Sequence, residues 1–290
     1  MKKLFKIDNF VLKIIACLTM LCDHLGVFLD MYLSGNAVTT AVLVLRTIGR
    51  LALPIFTFLI VEGALHTKNM KMYILRIGIM AAIIAIALLV IQYAGIIQTY
   101  GFSTTNIFVL FLLALLTIFC LNQKKWFKLF AIFPIAYVVF IYVIQVIPNL
   151  YIINYIPKAF IPDYGLYGFV LILVSYFILK YYNFSISKVF NDPSLEEAYK
   201  ETTEYRIKYN LFAALPIIIL SLIITVFGYV APVLNTMPVD LQSYAALASV
   251  FIFLYSGKIG YNNKIVKYGF YAFYPVHIIL LFAIFAIIFM

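Results

Sequence analysis

The sequence predicts an all-α polytopic transmembrane helix bundle of about nine spans, with its N-terminus inside and its C-terminus outside. Three observations carry this reading. Of 290 residues, 66% are hydrophobic and only 11% charged, with a mean hydropathy of +1.07. A soluble domain is roughly half apolar and about a quarter charged. The apolar residues fall into successive runs near the ~20 residues that a helix needs to cross hydrocarbon. The basic residues gather in alternate connections between those runs. No segment is polar enough or long enough for a separate soluble domain, so residues 1–290 read as one integral-membrane domain.

The spans read at 10–30, 38–65, 72–95, 104–121, 127–147, 164–182, 209–231, 240–257 and 266–289. The first follows the basic start MKKLFK. It lacks the small-residue cleavage site of a signal peptide, and Asp23 and His24 would spoil an h-region, so it reads as an uncleaved span. The second carries Arg46 and Arg50 and ends at Glu62 and His66. The third follows Lys68 and Lys71. The fourth opens at Asn106, and the fifth follows Lys124 and Lys125. The sixth opens at Tyr164-Gly165, and either opening could meet an external acceptor.

A polar connection, 183–208, precedes the seventh span. Asp192-Pro193 reads as a helix start, with the aspartate as N-cap and proline at the first helical position. Glu196 with Lys200 and Glu204 with Lys208 are i,i+4 pairs in the favourable order. The ninth span carries Pro275, which removes a helix donor, and His277. The outer connections 96–103, 148–163 and 231–239 hold glycine, proline and asparagine but few charges. There is no internal repeat.

The net charge of +10 is not a nucleic-acid footprint. Lys2, Lys3, Lys6, Lys13 and the lysines and arginines of the even-numbered connections all fall on one side, while Lys158 alone falls opposite. The positive-inside rule makes the crowded side cytoplasmic. The bilayer is therefore the partner, in the cell membrane, and no nucleic-acid contact is expected. Cys17, Cys22 and Cys120 lie in spans, with neither a disulfide framework nor a metal-ligand spacing. No metal is expected.

Ionisable side chains in hydrocarbon cost roughly 2.5–3.5 kcal/mol each on insertion scales, so those present are candidates for function. Lys13 and His24 are eleven residues apart, nearly three turns, and so share a helix face. They lie ~16 Å apart along the axis. One face offers a cation at the inner mouth and an imidazole deep inside, which suits a ligand with an anionic head and a long reactive arm, such as acyl-coenzyme A. Histidine titrates near neutrality and is a natural general base. Asp23 lies about 100° around the helix from His24 and is cheapest to bury beside a cation. Arg46 and Arg50, four apart on one face, are the available cations. One would neutralise Asp23, and the other would face substrate or a developing oxyanion. Glu62 and His66 share a face at the inner end of the second span, where they line the donor entrance or form an interfacial pair.

The runs KIIACLTMLCDHLG, RTIGRLALPIFTFLIVEGALHT, DYGLYG and YSGKIGYNNKIVKYGFYAFYPVH resemble the TraX family, membrane proteins named for N-terminal acetylation of conjugative pilin. The resemblance runs from about residue 10 to about 285, and Leu53 stands where the family often has phenylalanine. It implies an acetyltransferase that uses acetyl-coenzyme A. It places Asp23, His24, Arg46, Arg50, Glu62 and His277 at motif positions, with Tyr274 inside the closing FYAFYPVH. Lys13, ten intervening residues and His24 also match the spacing of a basic residue and a histidine in the first span of integral-membrane acyltransferases that O-acetylate surface glycans. The expected catalytic set is His24, Asp23, Arg50 and Arg46. The expected substrate-binding set is Lys13, Glu62, His66, Tyr274 and His277. The acceptor is a peptide amine or a glycan hydroxyl, and nothing in the sequence selects between them. A small-anion or proton-coupled transporter is the competing class. Paired repeats with matching broken helices would favour it, and none is found.

Reporter fusions after Lys125 and at Met290 are expected to report opposite sides of the membrane. If both report the same side, the nine-span map fails.

Overall fold

A computed structural model describes residues 5–93, 105–147, 151–190, 192–230 and 239–289. Lys2 and Lys3, the outer connection 96–103, residues 148–150 and residues 231–238 lie outside the described residues. The described residues are mostly helical, with two isolated β-bridges and no strand. Seven segments are long and apolar enough to cross a membrane: Asn9–Tyr32, Asn36–His66, Met70–Tyr93, Lys125–Val146, Gly165–Val189, Thr203–Val230 and Lys264–Phe289. The expected fourth and eighth spans correspond to shorter apolar helices, Ile107–Leu121 and Ser243–Phe253. The chain divides into two compact units. One comprises residues 1–61, 174–226 and 238–290, and the other 62–173 and 227–237.

The first unit is built on α1 (Asn9–Tyr32). Asp8 is its N-cap and accepts from the Val11 N–H at 2.8 Å. An N-cap of this kind satisfies one of the donors orphaned at a helix start. Next comes α2 (Asn36–Gly49), followed after two residues by α3 (Ala52–His66). The second expected span, 38–65, is one apolar run, but the structure interrupts the helix at Arg50 and Leu51. Pro54 supplies the reason. It has no N–H to give the carbonyl of residue 50, and its ring crowds that position. The chain tightens there instead: Arg50 N–H reaches Thr47 O at 3.2 Å and Leu51 N–H reaches Ile48 O at 3.2 Å, both three residues back.

The second unit holds α4 (Met70–Tyr93), α5 (Ile107–Leu121) and α6 (Ile132–Val146), the last preceded by a 3-10 turn. Asn106 organises it. Its side chain is fully buried, donates to Ala81 O at 3.0 Å and Ala159 O at 3.2 Å, and caps α5 by accepting from Phe108 N–H at 3.1 Å. Those bonds tie Asn106 into the packing of its own unit.

The remaining helices are α7 (Gly165–Val189), α8 (Pro193–Lys200), α9 (Thr203–Val230), α10 (Val239–Gln242), α11 (Ala248–Phe253) and α12 (Lys264–Phe289). Asp192 caps α8 and accepts from Ser194, which holds its carboxyl below the ordinary range. The Glu196–Lys200 and Glu204–Lys208 pairs both form.

Two packings in the first unit position the candidate site. Helices α1 and α2 form an antiparallel hairpin in which Asp23 meets Arg50 and Gly26 meets Arg46. Helices α1 and α12 run parallel: Phe10 meets Phe270, His24 meets His277, Phe28 meets Phe285 and Tyr32 meets Phe289.

Candidate functional site

Neighbouring residues on a helix point about 100° apart, and α1 uses that angle to address two partners. Asp23 faces α2, while His24 faces α12.

On the α2 side, Arg50 Nη2 donates to Asp23 Oδ1, and Arg46 Nε lies 3.6 Å from the same oxygen. Arg50 is buried, and its Nε also donates to Arg46 O at 3.3 Å. Arg46 is partly exposed. Its Nε is buried and has no hydrogen-bond partner. Two guanidiniums thus share one carboxylate where the local dielectric is low. Arg50 sits at the C-terminal cap of α2, where the helix dipole also favours a cation.

A short aspartate reaches across because glycines remove the intervening bulk. A Cβ on Gly49 would collide with Asp23, and one on Gly26 would lie 2.8 Å from Arg46 Cγ. Small residues let membrane helices approach closely in this way.

On the α12 side, His24 Nδ1 and His277 Nε2 are 2.6 Å apart. The ring planes lie within 24° of each other, with centroids 4.9 Å apart, so the rings meet edge to edge. His277 Nδ1 lies 2.6 Å from Phe273 O. Tyr274 is buried and turns its ring edgewise to both imidazoles, at 6.2 Å from His24 and 5.9 Å from His277. Sequence spacing on one helix could not reveal this pair, because its members are 253 positions apart.

Lys13 lies along the same flank of α1. Its ammonium sits 5.6 Å from the centre of the Phe270 ring, on α12. Lys267, one turn before that phenylalanine, is close enough for its charge to act on Lys13. The lysine and the imidazole therefore share a helix face covered by one partner helix, ~16 Å apart along the axis.

Glu62 and His66 belong to the second unit and bond to each other. His66 Nδ1 is 3.0 Å from Glu62 O and 3.7 Å from Glu62 Oε2. A cavity of about 390 Å³ in that unit is lined by Gln92, Gln145, Asn154 and Lys158, none of which stood among the candidates. Among the described residues, no three His, Cys, Asp or Glu side chains gather as a metal ion would require.

Residues 9–190 match the family described as TraX protein, more than half of the chain. The chain belongs to the TraX family. The TraX match covers Lys13, Asp23, His24, Arg46, Arg50, Glu62 and His66, while Tyr274 and His277 lie beyond it. No curated protein and no solved structure matches the chain.

The close approach of α1 and α2 makes a specific demand on Gly49. Gly49→Ala is expected to lower the unfolding temperature in detergent, by about 2–4 °C for each kcal/mol lost in a domain somewhat smaller than this chain. Gly269→Ala, whose Cβ would meet nothing within 4 Å, is expected to leave it unchanged or raise it. Equal effects of the two substitutions would show that the Asp23 contact does not depend on the glycine.

Proposed function

We propose that this protein is a membrane acetyltransferase. It moves an acetyl group from cytoplasmic acetyl-coenzyme A to an amine or hydroxyl of an acceptor, a pilin-like peptide N-terminus or a surface glycan, at the far side of the cell membrane. The observation that carries the reading is the shared flank of α1. Lys13 and His24 both lie against α12, with Arg46 and Arg50 one helix face away. The family membership supports the same chemistry.

In this reading Lys13, with Lys267 beside it, attracts the anionic end of the donor at the N-terminal ends of α1 and α12. The pantetheine arm runs beside the seam between α1 and α12 and brings the thioester to His24. His24 Nε2 takes the proton of the acceptor N–H or O–H as that atom attacks the thioester carbonyl. The carbonyl oxygen becomes an oxyanion, and Arg46, whose Nε has no hydrogen-bond partner, stabilises it. The intermediate collapses, the C–S bond breaks and the imidazolium returns the proton to the departing thiolate. Acetylated acceptor and coenzyme A leave, and His24 is neutral again. Arg50 stays with Asp23 and holds the hairpin.

The parallel course of α1 and α12 supports a first and last span that cross in the same direction, as an inside N-terminus and an outside C-terminus would require.

Purified protein in lipid nanodiscs is expected to release coenzyme A thiol from acetyl-coenzyme A when given a peptide with a free N-terminus or an amino- or hydroxyl-bearing glycan. His24→Ala is expected to lower kcat by about 10²–10⁴, the span of general-base contributions. Lys13→Ala is expected chiefly to raise KM for the donor, by about tenfold for a lost interaction of about 1.4 kcal/mol. Near-normal transfer by His24→Ala would overturn the mechanism. Anion or proton flux in proteoliposomes without thiol release would favour a transporter.

A further inference from the structure

We propose that His277 is a positioning residue that fixes the tautomer of His24, so that its Nε2 carries the free lone pair. The argument begins at a backbone carbonyl. Phe273 O has no proton to give, so at 2.6 Å the hydrogen must sit on His277 Nδ1. A neutral imidazole carries a single N–H, so His277 Nε2 is an acceptor. That acceptor lies 2.6 Å from His24 Nδ1. The hydrogen between the rings therefore belongs to His24, and its second nitrogen, Nε2, is left unprotonated. One carbonyl orders the whole chain, from Phe273 O through His277 to the basic nitrogen of His24.

The surroundings match a neutral pair. The groups facing the two rings are Asp23 on α1, Arg46 and Arg50 on α2 and Tyr274 on α12. Asp23 is already bonded to Arg50. A doubly protonated His277 would point an N–H at His24, turn the order around and place a hydrogen on His24 Nε2.

The same carbonyl separates positioning from proton conduction. If the His24 Nδ1 proton moved to His277, the chain would end at Phe273 O, which offers no onward path. His277 instead receives a hydrogen bond that strengthens when His24 becomes an imidazolium, because charge-assisted bonds are roughly twice as strong as neutral ones. The pairing resembles in logic the partner that holds a catalytic histidine in one tautomer, whose loss in serine proteases lowers kcat by about 10⁴. The consequence for catalysis rests on the reading of His24 as the base; the tautomer itself does not.

The chain has only three histidines, so ring-labelled ¹⁵N-histidine gives an interpretable solid-state NMR spectrum in bilayers. His66→Asn removes the third ring from it. The expected wild-type result is a protonated Nδ1 and an unprotonated Nε2 on both His24 and His277, with a close ¹⁵N–¹⁵N contact between His24 Nδ1 and His277 Nε2. In His277→Leu, His24 should shift to the Nε2–H form or a mixture, and acetyl transfer should fall by about 10² or more, towards the 10⁴ of a wrong tautomer. In His277→Gln, the side-chain oxygen can accept from His24 Nδ1. It should keep the tautomer and hold transfer within about tenfold of wild type, the scale of a single interaction of 1.4 kcal/mol. An Nε2–H tautomer at His24 in the wild type overturns the proposal without any variant. An unchanged His24 spectrum in His277→Leu also overturns it. If the tautomer is as stated but no transfer occurs, the acetyltransferase reading fails alone.

Discussion

The contact between Asp23 and the two arginines of α2 is the constraint on which the arrangement rests. A carboxylate inside an apolar bundle needs a cation, and removing one member of such a buried pair typically costs about 3–5 kcal/mol. Asp23 has Arg50 in direct contact and Arg46 at 3.6 Å. The contact fixes the rotation of α1 about its own axis. Once Asp23 is turned to α2, the next residue, about 100° on, is committed to α12. His24 meets His277 there, and Lys13, nearly three turns earlier, follows the same flank. The pair therefore sets where the imidazole points as well as balancing charge.

The local sequence around this contact is consistent with that use. Gly26 and Gly49 lie where any Cβ would intrude on the arginine or the aspartate. Pro54 interrupts the helix ladder at residue 50, which ends α2 at the arginine that binds Asp23 and begins α3 two residues later. The break gives Arg50 a helix C-terminus to sit on. Charge, close packing and chain direction thus converge on a few residues of the α1–α2 hairpin.

Much of this was legible in the sequence, and for physical reasons. A carboxylate in hydrocarbon demands a cation, and Arg46 and Arg50 were the pair at matching depth, so the Asp23 contact could be read before any coordinates. Eleven-residue spacing put Lys13 and His24 on one face. The break at Arg50 is hidden in the sequence, although Pro54 carries its signal, because the apolar run continues from 38 to 65. The meeting of His24 with His277 was not legible at all: helix periodicity says which residues share a face but not which distant helix covers it. Glu62 and His66 were legible as a pair four residues apart, and the structure shows them bonded to each other in the second unit. Asn106, read as a possible acceptor contact, has its amide taken up by Ala81, Ala159 and Phe108.

The most direct test of the Asp23 contact is a double-mutant cycle on thermal unfolding, with Asp23→Asn, Arg50→Gln and the two combined. Residues that share an ion pair show coupling of about 0.5–3 kcal/mol, whereas independent sites add. The expected result is that each single substitution destabilises the protein and that the second costs at least about 1 kcal/mol less once the first is made. Strictly additive losses would contradict a contact that orients α1, and with it the placement of His24.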